Sequence, residues 1–407
     1  MNASIIMHRR YIYIIVFIIS IILIVFFLKY NKKNPKSRFW ENQYNPNEYK
    51  IRGNPDSKIT ENLHITLPTK CRKYNFNLQN NQEDLREFHS FIDKYYIRAY
   101  KYSIEYLKWY FSNTDSKYII GIKDANNKLI GVITASPHKI KKSHQHHQPP
   151  RQPQQETTTE YIYISFLAVH SSWRKKGLAS ILISQIINEW SKDTTKYAGG
   201  GIFVSDQTPI PHNRIEKVFQ YRYTTPKRIH ISKQSNISQK IPQKSKILNL
   251  KKLSKTMSKT AFEDLCQKCI KYYNNHATRN YDCYTAIENI ADFNHLFISP
   301  PEEIQSYIIV SNDDHHIEGI ISTITGDNTA LIVKSIRTCQ IVLISDIYDY
   351  ESIAHQFVKT GIIKDDISAI GYITDKEDKS SNPVTKSYFH LYNNRWNKIF
   401  RVFIFNL

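Results

Sequence analysis

The sequence predicts an α+β fold built from two similar halves. The apolar spacing switches repeatedly between a helical period of three to four residues and the alternation typical of strands. The predicted order of helix, hairpin, strand, helix and strand occurs twice, over residues 31–235 and 260–407. A chain of 407 residues with 41% apolar residues can also bury a core in each half. The duplication is topological, because no repeated sequence is visible.

The first half begins with two predicted helices. Apolar residues three or four apart predict a helix from Leu85, and a second helix covers Ile104 to Phe111. Two short β-prone runs follow, Tyr118 to Ile122 and Leu129 to Ala135, separated by a polar turn. This arrangement is typical of a β-hairpin.

The chemistry-bearing part of the first half is a strand, a helix and a second strand. We expect the strand over Tyr161 to Val169, the helix over Leu178 to Trp190 and the last strand over Gly201 to Ser205. The run that follows is rich in turns and contains Pro209, Pro211 and Pro226.

Two polar stretches interrupt the periodic pattern. Residues 138–160 are rich in histidine, proline, glutamine and threonine, and are expected to form a disordered insertion in the surface. Residues 236–259 are rich in lysine, glutamine and serine, and are expected to form a basic linker between the halves.

The second half is predicted to repeat the order of the first. A helix is expected over Phe262 to Tyr273, followed by a hairpin of Ser306 to Val310 and Ile317 to Thr325. The remaining predicted elements are a strand, a helix and a strand, at Gln340 to Tyr348, Glu351 to Thr360 and Ser368 to Ile373.

Near the N-terminus, a tail of residues 1–10 precedes an uncharged apolar run, Tyr11 to Leu28. This run is long enough to cross most of a bilayer as a helix, so a single-pass transmembrane anchor is predicted. A cleaved signal peptide is the alternative, but no small-residue cleavage site follows. More basic residues follow the run than precede it, which favours a cytosolic location for the large C-terminal part.

The composition restricts partners and metals only partly. A formal net charge of +20 suits nucleic acid, an anionic membrane or a phosphate-rich cofactor, and charge alone does not choose among them. No specific nucleic-acid partner is expected. Five irregularly spaced cysteines do not form a disulfide framework. Cys266 and Cys269 lack a second pair of ligands at zinc spacing, so we expect two helix thiols and no metal site.

The strongest local motif is Arg174-Lys175-Lys176-Gly177-Leu178-Ala179, between the predicted strand and helix. Backbone N–H groups at a helix N-terminus attract anions, and Gly177 lets the backbone approach a phosphate without a Cβ. The motif resembles the pyrophosphate loop of the GNAT (N-acetyltransferase-like) acyltransferases. That resemblance implies two GNAT-like halves that bind a CoA thioester.

A wider resemblance links the chain to the glycylpeptide N-myristoyltransferases. Phe166-Leu167-Ala168-Val169-His170, followed by the loop at Arg174 to Ala179, is similar to the signature of that family. Upstream, Arg38-Phe39-Trp40 resembles the arm that folds over the acyl-CoA. Downstream, Tyr388 to Trp396 resembles an aromatic run near the end of the family's chains.

The resemblance implies a role for individual residues. The amides of Phe166 and Leu167 would form an oxyanion hole for the thioester carbonyl. The carboxylate of Leu407 would take a proton from the acceptor amine. Ser205 and Tyr221 would contact the acceptor peptide. The residues implied in acyl-CoA binding are Arg38, Phe39, Trp40, Phe166, Leu167, Ala168, Val169, Lys175, Gly177, Leu178 and Ala179.

The implied activity is transfer of a myristoyl group from myristoyl-CoA, a co-substrate, to the N-terminal glycine of proteins. No permanently bound cofactor is implied. Two departures concern the acceptor: Arg98 and Lys101 replace an acidic stretch of the family, and Tyr221 replaces a histidine. An acetyltransferase acting on another amine, and an inactive membrane-bound homologue that binds acyl-CoA or peptide, are the alternatives.

Overall fold

The computed structural model describes most of the chain between residues 67 and 403. The described ranges are 67–96, 101–142, 158–192, 201–206, 218–223, 245–280, 283–312, 316–328, 333–344, 369–374, 385–392 and 402–403. Within them, no helix has the length and apolar character needed to span a bilayer. The predicted anchor at 11–28, the arm at Arg38 to Trp40 and the terminal Leu407 lie outside these ranges.

The first half contains the predicted helices and strands. The sequence did not indicate two of the strands, β1 and β6, and β6 lies within the run interpreted as turns. The elements are β1 (Arg72–Asn75), α1 (Gln82–Tyr95), α2 (Ile104–Tyr110), β2 (Ile119–Lys123), β3 (Leu129–Lys142), β4 (Thr158–Val169), α3 (Leu178–Lys192), β5 (Gly201–Asp206) and β6 (Val218–Tyr223).

In the second half, the structure confirms the helix predicted over Phe262 to Tyr273 and the hairpin that was predicted to follow it. The predicted helix Glu351 to Thr360 lies outside the described residues. The elements are β7 (Ser245–Asn249), α4 (Leu250–Thr256), α5 (Lys259–Asn280), β8 (Cys283–Thr285), α6 (Ile290–Phe293), a π-helical turn (Asn294–Ile298), β9 (Ile304–Ser311), β10 (Ile317–Asn328), β11 (Val333–Ile344), β12 (Ala369–Thr374), β13 (Thr385–Tyr392) and β14 (Val402–Phe403).

The two polar stretches are shorter than predicted. Strand β3 continues to Lys142 and β4 begins at Thr158, so both ends of the predicted 138–160 insertion are paired strand. Residues 245–256 of the predicted linker form β7 and α4. The predictions were wrong at these ends because a few apolar side chains suffice to anchor a polar segment: Ile140 is 2% exposed and Leu250 is fully buried.

The strands form one extended mixed sheet. Its order among the described residues is β1-β2-β3-β4-β5-β13-β6-β12-β11-β10-β9-β7, with β8 joining β3 to β14. Strands β2, β3 and β4 pair antiparallel, and β4 pairs parallel with β5. The same succession recurs as β9, β10 and β11 antiparallel and β12 parallel to β11. This agrees with the duplicated order of elements in the sequence.

Helix α3 covers one face of the first half. Leu178, Leu182 and Ile186 are spaced four residues apart and are all buried against the sheet. A Cβ at Gly131 of β3 would lie 2.9 Å from Leu182 Cδ1, so glycine permits the close packing of α3 on the strand. The packing fixes the loop before α3 against the end of β4.

Helices α1 and α2 cover the opposite face. Asn81 caps α1 by accepting hydrogen bonds from the N–H groups of Glu83 and Asp84, and Ser103 caps α2 by accepting from Tyr106. Because both faces are covered, β2 is buried along its whole length and has no polar alternation.

Candidate functional site

The central feature of the site is a β-bulge in β4. The register with β3 passes from Val132↔Ala168 to Thr134↔Ser165, so β4 has one residue more than β3 in this interval. Phe166 lies in the bulge with φ of 48°, in the left-handed region. A bulky side chain in this region costs about 1–3 kcal/mol, and such strain is typical of functional sites.

Strands β4 and β5 diverge beside this bulge. Their described parallel pairing consists of Ile162↔Gly201 and Tyr163↔Ile202. Beyond Tyr163, β5 pairs with β13 on its other side up to Asp206. The edge of β4 that contains Phe166 and Leu167 is therefore not paired with β5 in the described part of the sheet. Backbone N–H groups on such an edge can bind a ligand.

The side chain of Phe166 points into an aromatic cluster. It is 4% exposed, and its ring lies 5.1–6.2 Å from five other rings. These rings come from α1 and α2 and the segments at their ends: Phe88, Tyr96, Tyr102, Tyr110 and Phe111. The cluster holds the strained residue in place, since burial of aromatic area more than offsets the backbone cost.

A chain of hydroxyl groups lies beside the bulge. The Thr134 hydroxyl donates to the Ser165 carbonyl oxygen at 3.1 Å and lies 2.9 Å from Ser165 Oγ. The hydroxyl of Tyr110 lies 3.5 Å from both Ser136 Oγ and Ser165 Oγ. Thr134 is fully buried. The signal for this group in the sequence is the presence of polar residues within otherwise apolar strands.

The loop between β4 and α3 has the geometry of an anion site. Lys175 has φ of 63° and Gly177 has φ of 81°. Lys175, Lys176 and Gly177 are exposed, and no described atom lies within 4 Å of a Cβ built on Gly177. The first helical hydrogen bond of α3 runs from the Ile181 N–H to the Gly177 carbonyl at 3.2 Å. The amides of Leu178 and Ala179 precede it and lack intrahelical acceptors.

Arg174 ties this loop to the neighbouring elements. Its Nε donates to the Val169 carbonyl at 3.2 Å, and its Nη2 donates to the Tyr95 carbonyl at 3.3 Å. The guanidinium therefore joins the ends of β4 and α1. Arg174 has a structural role, while the side chains of Lys175 and Lys176 extend from the exposed turn.

The loop lies in a positive environment. Burial, together with the charges of Lys128, Lys94 and Arg174, lowers the pKa of His170. Its Nδ1 accepts from the Ser172 N–H at 3.3 Å. Burial is the largest cause of this pKa shift, and the three nearby cations add to it; their charges favour a phosphate-bearing ligand where the loop begins.

The structure brings together most of the first-half residues predicted for the acyl-CoA site. Ala168 is 3% exposed and continues the ladder with β3 immediately after the bulge. Val169 pairs with Gly131, so β4 remains in register up to the loop. The residues proposed for the two chemical roles are thus consecutive along one strand, loop and helix.

Ser205 and Tyr221 lie on strands that flank β13. Ser205 of β5 pairs with Tyr388, and Tyr221 of β6 pairs with Ser387. The two predicted peptide residues are therefore separated by one strand of the second half. This places them beside the divergence of β4 and β5, at backbone level.

Cys266 and Cys269 are buried on α5. Burial raises the pKa of the Cys266 thiol to about 11 and that of Cys269 further. Both thiols are thus protonated and behave as small apolar groups. Within the described ranges, no three histidine, cysteine or carboxylate side chains are grouped so that they could hold a metal ion.

Comparisons with known proteins agree with this geometry. The family described as "Myristoyl-CoA:protein N-myristoyltransferase, N-terminal domain" matches residues 52–198, which include the bulge and the loop. A glycylpeptide N-tetradecanoyltransferase from Drosophila melanogaster is 27% identical over 143 residues. That match spans 32% of this chain and 28% of the length of the relative.

Solved structures extend the likeness to the second half. One structure of Saccharomyces cerevisiae N-myristoyltransferase with bound myristoyl-CoA has a TM-score of 0.57 and 16% identity, covering 88% of each chain. Another has a TM-score of 0.55 and 15% identity, covering 84% of this chain and 87% of the other. Fold and site thus define an α+β protein with the architecture of the N-myristoyltransferases. Over residues 52–198 the chain is similar to the N-terminal domain of the N-myristoyltransferases, and the fold of the wider chain is similar to that of the two solved structures.

Proposed function

We propose that this protein transfers a myristoyl group from myristoyl-CoA to the N-terminal glycine amine of other proteins. One observation carries the proposal: the bulge at Phe166 and the anion-binding loop at Gly177 lie at the end of one strand and the start of the next helix. The first feature suits a thioester carbonyl and the second suits the phosphates of CoA. The named relatives act on, or bind, these molecules.

The proposed reaction is a direct transfer. The acceptor amine attacks the thioester carbonyl carbon, a carbon–nitrogen bond forms, and the carbon–sulfur bond breaks to release the CoA thiolate. The N–H groups of Phe166 and Leu167 stabilise the negative oxygen that develops. The carboxylate of Leu407 takes the proton that the amine loses, and the thiolate is protonated from water. The reaction requires no covalent acyl-enzyme.

The remaining predicted residues complete the binding of the two substrates. Lys175, Gly177, Leu178 and Ala179 hold the pyrophosphate, and the arm at 38–40 folds over the acyl-CoA. Ser205 and Tyr221 contact the acceptor peptide from strands on either side of β13. The repeated pairing of the strands supports a division into two GNAT-like halves.

The membrane association of this protein is a further part of the proposal. Residues 11–28 form a single transmembrane anchor, and the catalytic part lies on the cytosolic side. Such an anchor would keep the enzyme and its acylated product at one membrane. Its test is extraction of the full chain from membranes by detergent but not by high salt.

Release of free CoA from the full chain in detergent tests the proposed reaction. Myristoyl-CoA and acetyl-CoA are each supplied with a pool of glycine-starting peptides, and the same peptides with acetylated N-termini are the control. We expect turnover with myristoyl-CoA and free amines, and loss of turnover when residues are added after Leu407.

Turnover with acetyl-CoA alone would instead identify a short-chain acetyltransferase. Tight binding of myristoyl-CoA without turnover of any peptide would identify a non-catalytic binding protein.

A further inference from the structure

Thr134 of β3 lies directly beside the bulge in β4. It pairs with Ser165 at the last regular position before Phe166. Its side chain is fully buried, and its hydroxyl donates to the Ser165 carbonyl at 3.1 Å. This hydroxyl therefore acts on the peptide group that leads into the bulge.

The Ser165 carbonyl and the Phe166 N–H belong to the same planar peptide group. In a trans peptide these two groups point in opposite directions, so whatever orients one orients the other. A donor on the carbonyl oxygen also polarises the amide, which makes its N–H a stronger donor. We propose that Thr134 is a positioning residue that orients and strengthens the Phe166 N–H as an oxyanion-hole donor.

The neighbouring hydroxyls extend this effect. Because the Thr134 hydrogen is donated to the carbonyl, the Ser165 hydroxyl, at 2.9 Å, donates to Thr134 Oγ1. The Tyr110 hydroxyl in turn lies 3.5 Å from Ser165 Oγ. Each donor in such a chain strengthens the next one. The hydroxyls of Ser165 and Thr134 therefore lead to the peptide group of the bulge, and the Tyr110 hydroxyl of α2 lies beside them.

The strained backbone of Phe166 makes this positioning necessary. The residue has φ of 48°, in a region that a phenylalanine rarely adopts. The aromatic cluster holds its side chain, but ring packing is only weakly directional compared with a hydrogen bond to a fixed acceptor. The Thr134 hydroxyl supplies the directional restraint on the peptide plane.

The test compares Thr134→Val, which keeps the shape and removes the hydroxyl, with Thr134→Ser, which retains it. The matched control is Thr323→Val, because Thr323 is also fully buried and donates to a strand carbonyl, that of Gln305, at 3.2 Å. The first readout is the infrared carbonyl stretch of myristoyl-CoA labelled with carbon-13 at C1 and bound to each full-length variant. The second readout is kcat and KM.

We expect the bound carbonyl to absorb at lower frequency than in water with the unaltered protein, Thr134→Ser and Thr323→Val. In Thr134→Val this shift should be mostly lost, and kcat should fall about tenfold with little change in KM for myristoyl-CoA. An unchanged carbonyl frequency in Thr134→Val would overturn the inference.

The inference rests on the proposed function. The same spectra distinguish failure of the positioning role of Thr134 from failure of the proposed function. No carbonyl shift in the unaltered protein would contradict the oxyanion hole itself. If Thr134→Val does not fold, Thr134→Ala is measured in the same way. Failure of both variants to fold, while Thr323→Val folds, would assign Thr134 to strand stability and overturn its positioning role.

Discussion

The ring of Phe166 packs edge-on against the ring of Tyr102, with centroids 5.1 Å apart, although the backbone of Phe166 has φ of 48°. Phe166 thus combines a well-packed side chain with an intrinsically unfavourable backbone conformation. The bulge that contains this residue lies beside the divergence of β4 and β5. Packing and proposed chemistry meet at this residue.

Replacement of Phe166 by alanine tests this coupling. We expect the free energy of unfolding to fall by about 3–5 kcal/mol, as for other buried phenylalanines. We also expect kcat to fall at least about a hundredfold in protein that remains folded, because the bulge loses the packing that holds it. Denaturant unfolding and steady-state kinetics measure the two effects.

The control for this variant is Phe297→Ala, which removes a ring that is 2% exposed in the second half. It should lower stability comparably and leave kcat nearly unchanged. Equal losses of kcat in the two variants would show that the effect at Phe166 is a general loss of packing.

Substitutions at Gly177 distinguish the effect of backbone strain from the effect of contact with the proposed acyl-CoA. Gly177→Ala meets no described atom within 4 Å, but φ of 81° is unfavourable for alanine by about 1–2 kcal/mol. Gly177→Asn should recover part of that stability, since asparagine tolerates left-handed backbone. Both variants should weaken CoA binding about tenfold if the Cβ occupies the approach of the pyrophosphate. Recovery of both stability and affinity in Gly177→Asn would mean that only backbone strain matters.

The titration of His170 reports on occupation of the loop. Burial and nearby positive charges lower its pKa in the free protein, so the neutral ring is favoured near neutral pH. The negative phosphates of CoA should raise this pKa, and CoA should therefore bind more tightly as the pH falls through the His170 transition. NMR titration with and without CoA measures the shift.

Lys128→Gln provides the calibration for this titration, because it removes one of the charges that lower the His170 pKa. It should raise the pKa in the absence of CoA. A His170 pKa that responds to Lys128→Gln but not to CoA would place the phosphates elsewhere.

The raised pKa of Tyr74 predicts that the protein loses stability at high pH. Its hydroxyl donates to Asp84 at 2.5 Å, and this hydrogen bond is the main reason that its pKa is raised to about 12. A raised pKa stabilises the fold below the ordinary tyrosine pKa of about 10, and the contribution is lost as the pH rises through about 12. Tyr74→Phe should lower the free energy of unfolding by about 1 kcal/mol at pH 8.

The difference between Tyr74→Phe and the unaltered protein should disappear between about pH 10 and pH 12, as measured by urea unfolding. Tyr95→Phe is the matched control, since the Tyr95 hydroxyl makes no hydrogen bond within the described ranges. A difference that persists above pH 12 would show that ring packing, and not the hydrogen bond to Asp84, accounts for the loss.

The helices and hairpins of this fold could be predicted from local pattern. Leu178, Leu182 and Ile186 are spaced to cover one face of a helix, and they do. Local pattern failed where long-range burial decides the structure, as at Ile140 and Leu250, which are buried within segments rich in polar residues. The loop at Gly177 could be predicted from a basic, glycine-containing turn between a strand and a helix, whereas the φ of Phe166 has no local signature.

Strand β13 separates β5 from β6, although it follows them by more than a hundred residues along the chain. During translation the ribosome therefore exposes β5 and β6 well before the strand that joins them exists. Contacts of such large separation in sequence form slowly and late. A nascent chain paused after its first half can contain Phe166 and Gly177 and still lack β13, so the proposed activity would begin only when synthesis is nearly finished.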